Sequence, residues 1–156
     1  MTARNKGGTD LFKKQMAALE KVKSTLPTII ANTAENFFKA SFRKQGWDDQ
    51  SVKRWRGRKG QIHGGIAMVP SKSKGSRAIL IKSGALRRSI HTTTATWKRI
   101  VITSDMPYSA IHNNGGAINK GGHKINMPQR KFMGNSYNLR KKITQDMERE
   151  LNKVFK

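Results

Sequence analysis

The chain has 156 residues, a length that supports a core of modest size, and 35 % of them are hydrophobic, which is lean for a globular chain but enough to fold. Its 32 Lys+Arg against 9 Asp+Glu leave a formal net charge of +23, a self-repulsion that persists where a polyanion, nucleic acid or an acidic protein surface, neutralises it. The lack of cysteine excludes disulfide frameworks and thiolate metal sites and fits a reducing cytoplasm, while no apolar run reaches the ~18 residues of a membrane span and Met1–Thr9 lacks a signal-peptide core.

Residues 1–9 are polar and Gly-containing and read as a flexible arm, leaving residues 10–156 as a single α+β domain. Thr9 or Asp10 caps a helix whose apolar positions Phe12, Met16, Leu19, Val22 and Leu26 recur at threes and fours. Pro27 lacks an amide donor and disfavours helical geometry at Leu26, so the helix bends there or restarts as a second one. Ile30, Ala34, Phe37, Phe38 and Phe42 continue the pattern until Gly46 stops it. The expectation is a long bent helix, or two in series, over residues 10–45.

Trp47-Asp48-Asp49 comes next, the acids serving a cap or turn, and then a basic cluster of Lys53, Arg54, Arg56, Arg58 and Lys59 around Trp55. Two readings of that cluster stay open: a phosphate-contacting patch with Trp55 as stacking residue, or a solvated surface with Trp55 in the core. Residues 60–78 hold four Gly, Pro70 and several Ser and Lys; they read as a long basic loop or insertion that orders on assembly.

From Ile79 the texture becomes β-branched, predicting strands at 79–81, 89–94 and 97–103, the last two joined as an antiparallel hairpin. Ser83–Arg88 supplies a turn and one helical turn. Pro107 and Gly115 bracket a short helix over Tyr108–Asn113, and the Gly-rich stretch 115–122 is a surface hairpin or loop, because it lacks the Gly-Lys-Ser/Thr ending of a phosphate-binding loop. A short strand at 125–127 precedes Pro128, and Asn135 or Ser136 caps a last helix with Leu139, Ile143, Met147 and Leu151 at every fourth position, closed by Val154 and Phe155. The fold class is therefore α+β, with the long N-terminal helix and the C-terminal helix packed on a small antiparallel β-sheet.

Chemistry is sparse. Glu20, Glu35, Glu148 and Glu150 sit on helix faces among basic neighbours, and the histidines 63, 91, 112 and 123 lack the spacing and carboxylate partners of a metal site. Ser83-Gly84 has no nucleophile-elbow pattern. The chain reads as no enzyme, with no cofactor and no metal.

Four segments in order resemble the phage virion morphogenesis family, the tail completion proteins of Mu-like tailed phages and prophages. They are Phe42 to Trp47 with Trp55; Ile79–Ile90 with Ser83, Gly84, Leu86 and Arg87; Pro107–Gly116 with Tyr108, His112, Asn113, Gly115 and Gly116; and Met127–Gly134 with Pro128, Arg130 and Phe132. The likeness covers most of residues 35–156, departing from the family in the stretch 60–78 and in the size of the basic excess. It implies a structural virion protein acting in tail completion or head–tail (neck) joining, forming a ring of about six copies with itself. It also implies other neck or tail proteins as partners, and residence in the virion after assembly in the host cytoplasm. Charge adds DNA passing through the ring as a partner, and no membrane is involved. The alternative is a basic nucleic-acid-binding protein without catalysis. On the virion reading Tyr108, Ile111 and Phe132 anchor loops to the core and Arg87, Arg88 and Arg130 are available to a neighbouring subunit; plain core packing for the aromatics and plain surface for the arginines stay open beside it.

Overall fold

A computed structural model of the chain describes residues 6–57, 62–63, 66–67 and 78–155. Helix α1 runs without interruption over Lys6–Lys44, 39 residues or ~58 Å, so it starts earlier than its sequence signals and takes in the last four residues of the expected arm. Pro27 lies inside it and is buried. The turn before Pro27 is hydrogen-bonded by side chains as well as backbone: Ser24 Oγ donates to the Lys21 carbonyl at 2.8 Å and Thr25 Oγ1 to the same oxygen at 3.0 Å.

Helix α4 (Tyr137–Asn152) lies antiparallel along α1. Its N-terminus is held by Asp48 and Asn138, its middle by Asp146 on Thr33, and its end by Val154 packed with Val22 and Leu26. Ser136 is its N-cap, the hydroxyl accepting from Leu139 N at 3.1 Å while donating to the Asp48 carbonyl at 2.7 Å. Asp49 adds a second cap from a distance, accepting from Tyr137 N.

The described strands form four separate two-stranded antiparallel ladders where one small sheet was expected. β1 (Gly46–Asp48) pairs with β2 (Val52–Arg54), and β3 (Ile62–His63) with β4 (Ile66–Ala67), within the expected loop, whose other residues up to 77 lie outside the described ones. β5 (Ile90–Ala95) pairs with β6 (Ile100–Ser104) as predicted, with a register shift between Thr92 and Thr94. Its second strand starts later than expected, since the turn Thr96–Arg99 leaves Trp97 61 % exposed at the tip. β7 (Gly116–Lys120) and β8 (His123–Met127) make a hairpin over Gly121-Gly122, both with positive φ, the two-residue turn that this pair of glycines favours.

Two short helices complete the chain: α2 (Ala85–Arg88) and α3 (Ser109–Asn114). The expected strand over 79–81 is instead a turn. Leu80 adopts φ 59° there, and the amide of Gln45 takes both backbone groups of Ile79, accepting from its N at 2.5 Å and donating to its carbonyl at 3.2 Å. A side chain has replaced the neighbouring strand, which satisfies the β-branched run without a ladder.

The core is aromatic. Phe37, Phe38, Phe42, Trp47, Trp55 and Phe132 pack with Leu86, Ile90 and Leu139 between α1, α4 and β5, and Phe42 and Ile90 are fully buried. A smaller cluster of Val22, Leu26 and Val154 closes the far end of the α1–α4 pair.

Candidate functional site

The site grows from the end of α1. Gln45, with φ 51°, turns the chain out of the helix, and Gly46, which the sequence suggests as the stop, is required for another reason: a Cβ there would sit 2.5 Å from the Lys53 carbonyl oxygen. This close passage of β1 and β2 brings Trp47 and Trp55 to the same core. Trp47 stacks on Phe38 with centroids 6.2 Å apart, and Trp55 stands edge-on to Phe42 at 5.5 Å. Trp55 Nε1 donates to the Lys131 carbonyl at 2.8 Å, so the tryptophan also fixes the segment after β8.

That segment is tied again by α3. Asn113 Oδ1 accepts from both Phe132 N and Met133 N at 2.9 Å, and the His112 carbonyl accepts from Arg130 N at 2.8 Å. Gly115 lets the two segments pass: its φ is +73°, and a Cβ would lie 2.9 Å from Gln129 N. Opposite, Gly84 caps α2 with φ 74° and Ser83 holds the turn, its carbonyl accepting from Arg88 Nη1 at 2.9 Å while Leu86 drops into the core. Between these parts lies an open cleft of about 530 Å³, lined by Ile79–Leu86, Tyr108, His112, Met127, Pro128 and Arg130. Three of the four motif segments thus converge on one concavity, and the fourth, through Gln45 and Trp55, supports it.

The sequence model of the phage virion morphogenesis family matches residues 9–152. The chain belongs to the phage virion morphogenesis family. No curated protein and no solved structure matches it. This is a family of phage virion assembly, and the match extends the segment of resemblance back through nearly all of α1.

Within this family member, several expected roles change. Trp55 is 3 % exposed, so it is core and unavailable to stack on a base. Lys53, Arg54 and Arg56 around it are exposed, whereas Arg58 and Lys59 lie outside the described residues. Tyr108 was expected to anchor a loop in the core, yet it is 41 % exposed at the cleft, edge-on to His112. Phe132 does anchor its loop, at 1 % exposure. Arg130 was expected to face a neighbour and is buried, its Nε donating to the Arg56 carbonyl at 3.2 Å. Arg88 is exposed and Arg87 half-buried. Phe155 does not close the C-terminal stripe; Val154 does, while Phe155 is 69 % exposed.

His112 is a perturbed imidazole. Burial, and then the charge of Arg130, push its pKa below 6.5, so it lines the cleft neutral, with Nδ1 buried and unpartnered. Among the described residues no three His, Cys, Asp or Glu gather as a metal would require, and no helix is long and apolar enough to cross a membrane. Two residues with structural reach carried no sequence signal of it. Gln45 organises the 78–81 turn, and Glu35 ties α1 to β5 by accepting from Thr92 N at 3.0 Å and Thr92 Oγ1 at 3.1 Å.

Proposed function

We propose that the protein is a non-catalytic, ring-forming subunit that acts in tail completion or head–tail joining of a tailed phage. The observation that carries this reading is the first stretch of α1. Leu11, Phe12 and Met16 are 58 %, 63 % and 43 % exposed, although Phe12, Met16 and Leu19 continue the stripe that Val22 and Leu26 bury against Val154. An apolar stripe that runs on past the body is stabilised by a neighbour, and a helix of one copy laid on the body of the next is a head-to-tail contact, the kind that closes into a ring. The exposed motif cleft offers a concave surface of the same chain for such a contact. The occupant proposed for the stripe is a second copy of this protein.

Light scattering of the purified protein over a range of concentrations tests the reading. A discrete oligomer of about six copies is expected, formed alone or on adding other neck or tail proteins. The double substitution Phe12→Ser and Met16→Ser is expected to leave a folded monomer. A wild type that stays monomeric with those components present overturns the proposal.

A further inference from the structure

A second surface of the molecule is concave and basic. Two adjoining depressions share Asn36 and Arg43 on the exposed face of α1. Arg87 and Arg88 of α2, with Lys39, complete one of them. Lys44 of α1 and Lys142 and Arg149 of α4 complete the other. The result is one continuous band with α1 as its floor, assembled from three elements far apart in sequence. Among its lining residues the acid is Asp146, which is already engaged by Thr33 and by Arg149 at 2.7 Å, while Glu35 and Asp48 pair with Lys39 and Lys44.

Several of the cations are held in place rather than left loose. Arg88 is anchored on the Ser83 carbonyl, Lys39 on Glu35 at 2.6 Å, and Arg149 on Asp146. Arg43, exposed at the join, and the half-buried Arg87 form no ion pair among the described residues. Cations fixed before binding lose less side-chain freedom on meeting an anion.

The acids decide what that anion is. Six of the nine in the chain are committed inside this molecule: Glu20, Glu35, Asp48, Asp146 and Glu150 to cationic side chains, and Asp49 to the amide of Tyr137. A second copy therefore has few carboxylates left to offer the band. An acidic protein partner would also be expected to find an apolar or aromatic anchor, and the aromatic side chain at the floor, Phe37, is buried at 6 %. What lines the band is guanidinium, ammonium and the amides of Asn36 and Gln145, the donors that meet phosphate oxygens. With no exposed aromatic for unpaired bases to stack on, the fit is to a duplex.

We propose that the α1–α2–α4 band binds the phosphate backbone of duplex DNA without reading its sequence. The proposal stands independently of ring formation, since the band is complete within one copy.

Fluorescence anisotropy with a labelled 30-base-pair duplex of arbitrary sequence, repeated from low to high NaCl, tests it. The triple variant Arg43→Gln, Arg87→Gln, Lys142→Gln is compared with a matched variant of the other basic cluster, Lys53→Gln, Arg54→Gln, Arg56→Gln. Arg43→Gln alone, and circular dichroism of every variant, guard against loss of fold. The band variant is expected to bind at least about tenfold more weakly and to lower the slope of log K against log salt by about three, one phosphate contact per cation removed. The single variant should lower it by about one, and the matched variant should resemble the wild type. Equal losses in both triple variants, wild-type binding by a folded band variant, or capture of polyglutamate in place of DNA each overturn the proposal. Oligomeric state read on the same samples keeps this outcome separate from that of the ring.

Discussion

From Val22 to Phe42, α1 buries its apolar positions against α4, β5 and the aromatic cluster, whereas from Leu11 to Met16 the same helical spacing faces solvent. Both halves are helix, and both repeat apolar residues at threes and fours. They differ in what lies alongside. α4 is 16 residues, ~24 Å, against ~58 Å of α1, and it ends at Asn152 beside the Val22–Leu26 region. Periodicity therefore specifies that a helix has a face to bury, while the length and placement of its neighbour specify how much of that face the same chain covers. The covered half holds the fold together, and the uncovered half is free to hold something else.

The comparison breaks most visibly at Phe42. It is fully buried, edge-on to Trp55 and 5.2 Å from Phe132, so Phe42→Ala should cost about 3–5 kcal/mol in urea unfolding. A loss below about 1 kcal/mol would mean that the aromatic cluster is not what stabilises the covered half.

A middle-sized effect is expected at Glu35, also on the covered half. The hydrogen bond from Lys39, outweighing burial, and then those from Thr92 hold its carboxyl below the ordinary 4.5. Glu35→Gln removes a charged acceptor and should cost about 1–2 kcal/mol at neutral pH. A carboxyl depressed in the fold binds fewer protons there than in the unfolded chain, so its stabilisation is complete above 4.5 and is lost as pH falls through the lowered value. Asp48 behaves alike: burial raises it, but Lys44 and Asn138 bring it below 3.8. His112 acts earlier. Held neutral by burial and Arg130, it takes up a proton below 6.5 only when the chain unfolds, so stability begins to decline there. Unfolding free energy measured from pH 7.5 to 3.5 should show both declines, and Glu35→Gln should flatten the lower one.

The smallest effect sharpens the contrast. Phe12→Ser, on the uncovered half, should change monomer stability by no more than about 0.5 kcal/mol, because the side chain is 63 % exposed already. A larger loss, measured at a concentration where the protein is monomeric, would show that Phe12 is covered within its own chain.

Much of this molecule follows from local chemistry. The two long helices are written in apolar spacing at threes and fours, the β5–β6 hairpin in β-branched runs, the Gly121-Gly122 turn in its two glycines, and the start of α4 in Ser136. These signals act over a few residues, so they survive without tertiary context. The motif segments were legible as segments, but their convergence on one cleft was not, since it depends on Asn113 reaching Phe132 and on Gln45 reaching Ile79. The basic band was half legible: Asn36, Ala40 and Arg43, and likewise Lys142, Gln145 and Arg149, stand at helical spacing, yet nothing in either run tells that α2 joins them.

By itself, then, the sequence determined the helices, the β5–β6 hairpin, the surplus of positive charge and membership in a virion assembly family, because periodicity, turn residues, composition and motif order are properties of the chain read along its length. Only the tertiary structure decided that Trp55 is core, that Arg130 is buried, that 79–81 is a turn, and that the apolar stripe of α1 outruns its cover. Burial is a relation between residues distant in sequence, and a side chain's own chemistry does not say which neighbour will exclude water from it.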